Sequence, residues 1–178
     1  MRNSTKWMFA GFSAGAAAAA AAAYGLLVRP WHLRWGATRA ELIMPQPFDS
    51  LIPNANYFAT RAITIEAPPD VVWPVVVDPG PLPAGTVIRH VDEQRCVAFA
   101  PPETEAEATW VVTLERRGNA TRLVSRNRAR FPGRFSAVVR YLLVDPGQFL
   151  FEREWMLKVK ARAEAALRDQ VQVAELMP

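Results

Sequence analysis

The hydrophobic positions near the N-terminus form one uninterrupted stretch, Trp7–Val28, which carries no charged residue over 22 positions. A helix of that length covers roughly 33 Å, which is enough to cross the hydrocarbon core of a bilayer. The stretch therefore predicts one transmembrane helix. Ten of its residues are alanine, so it is also typical of a cleaved signal peptide, although it exceeds the usual apolar region of ~7–15 residues.

Further along the chain, short runs rich in β-branched and aromatic residues predict strands. The first is Tyr57–Ala67, in which Ile63 and Ile65 share one face. Gly118-Asn119 between two such runs is typical of a hairpin. The remaining predicted strands are Thr86–Asp92, Gln94–Ala100, Ala108–Glu115 and Thr121–Arg130.

Three helices are predicted around these strands. A short helical turn at Thr38–Met44 has the capping-box spacing, with Thr38 as N-cap and Glu41 three residues later. A second short helix, Asp70–Asp78, follows the first strand. A proline in its first turn costs no hydrogen bond.

The last predicted helix begins with Asp145 as N-cap and runs to about Arg168. A period of 3.6 residues places six side chains on one apolar face: Phe149, Met156, Val159, Ala163, Ala166 and Leu167. Only the antiparallel sheet is available to cover that face. The sequence therefore predicts an α+β fold, a curved antiparallel sheet packed on a long C-terminal helix, plus the N-terminal transmembrane helix.

This pattern divides the chain into an anchor or signal peptide at residues 1–28, a connector rich in Pro, Trp and Arg at 29–56, a folded domain at 57–170 and a tail at 171–178. Gly11 and Gly15 form a G-x-x-x-G, which predicts either close helix pairing in a homodimer or nothing beyond an Ala/Gly-rich composition. Basic residues are slightly more numerous after the apolar stretch than before it. The positive-inside rule therefore favours a single-pass membrane protein with a cytoplasmic domain.

The net charge is +4 and the pI is about 9.7. This modest, scattered excess suits a position beside anionic lipids, and it comes without any nucleic-acid-binding motif, so no nucleic-acid partner is predicted. A single cysteine, Cys96, excludes an intrachain disulfide. His32 and His90 have no ligand-spaced neighbours and no phosphate loop occurs, so neither a metal site nor a cofactor is predicted.

Three segments resemble the START-like helix-grip (SRPBCC) superfamily, and in particular its polyketide cyclase/dehydrase-like branch. They are YFATRAITIEAPPDVVWPVV from Tyr57, RPWHLRWGATRAE at Arg29–Glu41 and FLFEREWMLKVKARAE at Phe149–Glu164. The resemblance implies a helix-grip fold that binds an apolar or amphipathic small molecule between sheet and helix. The chain departs from the family after the first short helix, where several tens of residues are missing. A small, open or absent pocket is therefore expected.

Within this expectation the candidate site residues are Trp73, Phe99, Trp110, Ser125, Asn127, Glu152 and Met156. Glu152 lies among apolar neighbours, where a carboxylate binds a ligand group, acts as an acid or base, or pairs with an arginine from the sheet. Ser125 and Asn127 are polar groups that suit a cavity better than a dry core. The aromatic residues and Met156 either line that cavity or simply fill the core.

The other face of the same predicted strand carries Arg126, Arg128 and Arg130. We expect this basic face to be solvated, with binding of lipid headgroups as the alternative. Three functions follow. The leading one is a membrane-anchored domain that binds a hydrophobic small molecule or lipid. The alternatives are a membrane-tethered interaction module without a ligand, and an enzyme of cyclase or dehydratase type with Glu152 as its only candidate acid or base.

Overall fold

The computed structural model describes residues 15–16, 19–78, 86–101, 108–131, 133 and 145–176. The chain forms two compact units, Met1–His32 and Leu33–Pro178. Helical residues 19–23 of the first unit lead into a π-helical turn, Tyr24–Val28, and then into helix α1, Arg29–Leu33, whose last residue belongs to the second unit. The Tyr24 hydroxyl and His32 Nε2 are hydrogen-bonded at 2.8 Å.

Within the described residues, no helix is both long and apolar enough to cross a membrane. Much of the predicted anchor Trp7–Val28 lies outside those residues, and so does Gly11 of the predicted G-x-x-x-G contact. The anchor, pairing through Gly11 and Gly15, and the side of the membrane therefore stay predictions.

The second unit is built on a five-stranded antiparallel sheet with the strand order β1-β5-β4-β3-β2. The strands are β1 Tyr57–Ile65, β2 Val87–Asp92, β3 Cys96–Ala100, β4 Ala108–Arg117 and β5 Ala120–Ala129. The helices are α2 Arg39–Ile43, a 3-10 turn Asp49–Leu51, α3 Pro69–Val77 and α4 Asp145–Leu176. The predicted α+β class, with a long C-terminal helix, is confirmed, and the arrangement fits a helix grip.

Local sequence accounts for most element boundaries. Gly118 opens the predicted hairpin with a positive φ of 62°, which glycine adopts without steric cost. Strand β3 starts at Cys96 rather than Gln94, because Gln94 takes a φ of 58° in the preceding turn. Helix α4 ends at Leu176 rather than near Arg168, since no glycine or proline interrupts its last turns.

Helices α3 and α4 share the hydrophobic core on one face of the sheet. Val72 and Val76 of α3 and Met156 of α4 are fully buried there. Each such side chain stabilises the fold by about 1.5–3 kcal/mol relative to leaving it exposed. The predicted apolar face of α4 is confirmed, because Phe149, Met156, Val159 and Ala163 are buried, while Ala166 and Leu167 are partly buried against the same core.

The opposite face of β5 is covered by the segment from Thr38 to Ile52. Arg126 is only 6% exposed and donates hydrogen bonds to the Asp49 carboxylate and to the backbone oxygen of Met44. Arg128 donates to the Ile52 oxygen, and Arg130 stays exposed. The prediction of a solvated basic face is therefore wrong for Arg126 and Arg128, because their counterions and acceptors come from the connector.

Helix α2 of this covering segment has the predicted capping box. Thr38 N–H donates to Glu41 Oε2 at 2.7 Å, and Glu41 N–H donates to the Thr38 hydroxyl at 3.3 Å. The same carboxylate accepts from Arg122 Nε at 2.7 Å and Nη2 at 3.0 Å. Hydrogen bonding to Arg122 lowers the pKa of Glu41 to about 2, against the raising effect of its burial.

This lowered pKa predicts acid sensitivity of the covering segment. A carboxyl with a folded pKa of about 2 and a reference value of 4.5 contributes stability above pH 4.5 and loses it as the pH falls towards 2. In urea titrations, Glu41→Gln should cost up to about 3 kcal/mol near pH 6 and progressively less on acidification. Glu115→Gln, which breaks an exposed pair with Arg117, is the control and should change little. A deficit of Glu41→Gln that does not vary with pH would contradict the prediction.

The stretch before α2 contacts the outer edge of β1 through a backbone hydrogen bond. The Ala62 N–H donates to the Trp35 carbonyl at 3.0 Å. Gly36 follows with a φ of 70°, and a Cβ at this position would lie 2.1 Å from the Ala62 oxygen. The chain can therefore pass this close to β1 only with a glycine at position 36.

Candidate functional site

The inner face of the sheet holds a buried ion pair. Arg61 of β1 contacts the carboxylate of Glu152 on α4, with 0% and 2% of their side chains exposed. Residue 61 has the same strand parity as Tyr57 and Ile65, so its side chain points towards the helices. Glu152 therefore pairs with an arginine from the sheet, one of the three roles that the sequence left open.

Two further groups fix the same carboxylate. The Ser125 hydroxyl donates to Glu152 Oε1 at 2.5 Å and accepts from the Trp110 indole N–H at 2.7 Å. The Asn127 amide donates to Glu152 Oε2 at 2.7 Å. These residues meet because Ser125 and Asn127 alternate onto the inner face of β5, and Trp110 is the register partner of Asn127 on β4.

The polar network continues to the beginning of α4. Gln148 donates from its amide nitrogen to Asn127 Oδ1 at 2.8 Å, and its Oε1 accepts from the Tyr57 hydroxyl at 3.3 Å. Burial, the largest cause, raises the pKa of Tyr57 to about 12. The phenol is therefore protonated at neutral pH and remains a hydrogen-bond donor.

This network borders a cavity of about 600 Å³ between the sheet and the first turns of α4. Tyr57, Gln148, Asn127 and Glu152 contribute its polar part. The rest of the lining is largely apolar and aromatic: Phe99, Ala100, Pro101, Ala108, Trp110, Ala129, Phe131, Gly147 and Phe151, with Thr86, Thr109 and Arg128. A pocket is therefore present among the described residues, although the sequence led us to expect a small, open or absent one.

The structure separates the predicted site residues into three groups. Four of them line the cavity: Phe99, Trp110, Asn127 and Glu152. Ser125 is fully buried, and its hydroxyl links Glu152 to Trp110. Trp73 and Met156 belong to the packed core and are absent from the lining.

Sequence reasoning missed Arg61, Tyr57 and Gln148. A signal existed for Arg61, because it shares strand parity with the inward-facing Ile63 and Ile65 and is the only charged residue of that set. No such signal existed for Gln148, since its role depends on where α4 begins relative to β5.

The arrangement suits binding and orientation better than proton transfer. Both oxygens of Glu152 already accept hydrogen bonds, and Arg61 neutralises its charge. Moving a proton through this carboxylate would disrupt three contacts at once. The network is therefore a fixed polar wall at one end of an apolar cavity.

No protein-family model and no curated protein matches the sequence. Several solved structures are similar. An AHSA1-like protein from Rhizobium etli is 15% identical with a TM-score of 0.41, covering 61% of this chain and 82% of that one. A polyketide-cyclase-like protein from Corynebacterium glutamicum is 13% identical with a TM-score of 0.33, covering 67% and 93%. The Mll3558 protein from Rhizobium loti is 16% identical with a TM-score of 0.42, covering 60% and 96%.

Similarity at these identities and TM-scores transfers no function. The case for a ligand depends on the cavity itself, on the side chains that line it and on the buried network that holds them.

Proposed function

We propose that this domain binds an apolar or amphipathic small molecule in the cavity between the sheet and α4. The observation that carries the proposal is the cavity of about 600 Å³, which combines a largely apolar lining with a few convergent polar groups. Pockets of about 300–1,000 Å³ with this composition are typical of small-molecule sites. An interaction module without a ligand would not need such a space, whose lining forfeits packing contacts.

The buried network supports the proposal by explaining why polar groups lie in the inner layer of the domain. Burying a polar group is costly unless it is hydrogen-bonded, and each member of this network has partners. Held in this way, the amides of Asn127 and Gln148 can orient a ligand without moving. The apolar walls would contribute most of the binding free energy.

A bulky side chain at Gly147 should block the cavity without damaging the fold. Gly147 lines the cavity one helical turn before Phe151, and a Cβ built there has no described atom within 4 Å apart from its chain neighbours and the backbone of its own helix. We expect Gly147→Phe to lower ligand affinity by about tenfold or more, because the ring would occupy the ligand's volume. Organic extraction of the purified full chain, followed by mass spectrometry, measures the bound molecule.

The matched control is Ala161→Phe, which adds the same ring at an exposed position of α4. A molecule retained by wild type and Ala161→Phe, and depleted in Gly147→Phe, is the expected result. Identical extracts from all three proteins would overturn the proposed function.

We also propose that the Trp7–Val28 segment tethers this domain to a membrane, with the domain on the cytoplasmic side. The uncharged 22-residue stretch and the arginines that follow it support the tether and the orientation respectively. In alkaline extraction of cell membranes, the full chain should stay in the pellet. Mass spectrometry of its N-terminus should find the stretch uncleaved, and release of a chain that starts after Ala23 would instead identify a signal peptide.

A further inference from the structure

The charged side chains in the described lining of the cavity are balanced within the protein. Two charged residues of the described chain line it, Glu152 and Arg128. Glu152 is neutralised by Arg61, which is fully buried and does not line the cavity. Arg128 directs its guanidinium to the other face of the sheet, 3.6 Å from the Asp49 carboxylate and 4.9 Å from the Phe58 ring centroid.

In the described lining, the hydrogen-bonding capacity that remains is neutral and belongs to the amides of Asn127 and Gln148 and to the hydroxyls of Thr86 and Thr109. The nitrogens of Asn127 and Gln148 each carry two N–H groups, and the described contacts use one at each. Gln148 Oε1 accepts from Tyr57 and retains a second lone pair. These groups match an oxygen that both accepts and donates, as a hydroxyl does, or one that only accepts, as a carbonyl does.

A charged ligand group would lack compensation at this position. A carboxylate beside Asn127 would approach the Glu152 carboxylate, while Arg61 is already engaged and screened from the cavity. An ammonium group would meet a carboxylate whose charge is cancelled, and it would lose its hydration in an apolar cavity. Burial of an unpaired charge is strongly unfavourable, so the described lining accommodates neither ion.

We propose, building on the function above, that the cavity selects an uncharged amphipathic molecule: an apolar or aromatic body with a hydroxyl or carbonyl group at one end. The polar end contacts Gln148 and Asn127. The body lies against Phe99, Trp110 and Phe151. Free fatty acids and phosphorylated lipids are excluded because their headgroups are anionic.

Four fluorescent probes of one skeleton test this selectivity on the full chain at pH 7.5: 9-anthracenemethanol, 9-anthracenecarboxylate, 9-(aminomethyl)anthracene and unsubstituted anthracene. Uptake by the Gly147→Phe variant is subtracted, since that variant retains every surface except the cavity. We expect the alcohol to bind about tenfold or more tightly than either ion, which corresponds to about 1.4 kcal/mol or more.

Substitutions at Gln148, which is half-buried, provide a second test through the change in probe affinity. Gln148→Leu should weaken the alcohol and leave unsubstituted anthracene unchanged, because only the alcohol uses the amide. Gln148→Lys should shift the preference towards the carboxylate by about tenfold, since it places a cation in the cavity. Thermal unfolding checks that both variants are folded. If either is not, the relative affinities of wild type for the alcohol and the two ions decide whether the cavity selects uncharged ligands.

The two ways of failing are distinct. Equal or tighter binding of the carboxylate by wild type would overturn the selectivity for uncharged ligands and leave the ligand-binding function standing. Uptake of no probe, anthracene included, beyond the Gly147→Phe blank would overturn the proposed function itself.

Discussion

Replacing Glu152 with alanine is expected to lower the free energy of unfolding by about 3–5 kcal/mol, because the substitution leaves a buried charge uncompensated. Arg61 has no exposed surface from which to recover hydration. Ser125 and Asn127 would also lose their acceptors on the carboxylate. Urea-induced unfolding of the full chain, followed by circular dichroism, measures the loss.

A double variant separates the charge from the packing. Arg61→Met with Glu152→Leu should recover much of the stability that Glu152→Ala loses, since apolar residues of similar volume avoid the desolvation penalty. Glu154→Ala, which breaks an exposed pair with Lys158 on the same helix, is the control and should produce no resolvable change. If Glu152→Ala costs no more than Glu154→Ala, the ion pair does not stabilise the domain as described.

Gly36→Ala should be the second severe substitution, with a loss of about 3 kcal/mol or more. Two costs combine at this position. Its φ of 70° is unfavourable for alanine, and the added Cβ would lie 2.1 Å from the Ala62 oxygen, so the backbone must move. That movement would also disturb the hydrogen bond from Arg122 to the Gly36 oxygen. Thermal and urea unfolding measure the effect.

Alanine substitutions at two other glycines separate the cost of the positive φ from the cost of the steric contact. Gly118 has a φ of 62°, but no described atom lies within 4 Å of the position that an added Cβ would take, so Gly118→Ala should cost only about 1 kcal/mol. Gly147 has neither problem and lies in the first turn of α4, so Gly147→Ala should gain up to about 1 kcal/mol. If Gly36→Ala were no worse than Gly118→Ala, the close approach to β1 would be contradicted.

Local signals predicted the elements of this fold well because they act over a few residues. The capping box at Thr38 and Glu41 is visible in four consecutive positions, and the apolar period of α4 extends over several turns. The prediction for the Arg126 face was wrong for a different reason. Alternation indicates which side chains share a face of a strand, but it does not indicate what covers that face. Here the cover comes from Asp49, 77 positions earlier.

In the candidate site, too, local sequence patterns identified some residues, while tertiary contacts determined the roles of others. Glu152 stands out in the sequence because its neighbours on the helix face are apolar, and Asn127 because strand alternation places it on the same face as Leu123 and Ala129. Both residues line the cavity. Trp73 and Met156 are of residue types that commonly line pockets, yet they fill the core. The identity of an apolar side chain does not indicate whether a ligand or another residue will contact it. Gln148 depends on the docking of α4 onto β5, a tertiary relationship that no short pattern encodes.

Both faces of strand β5 are covered over most of its length, and this limits where the chain can accept an insertion. Inserting one residue in its middle would turn Arg126 towards the apolar interior and Ser125 towards the covering segment. The hairpin at Gly118-Asn119 carries no such constraint, because it lies beyond the paired residues Arg117 and Ala120. Insertions should therefore be tolerated at that hairpin and not within β5, so the hairpin is the natural place for a genetically encoded label.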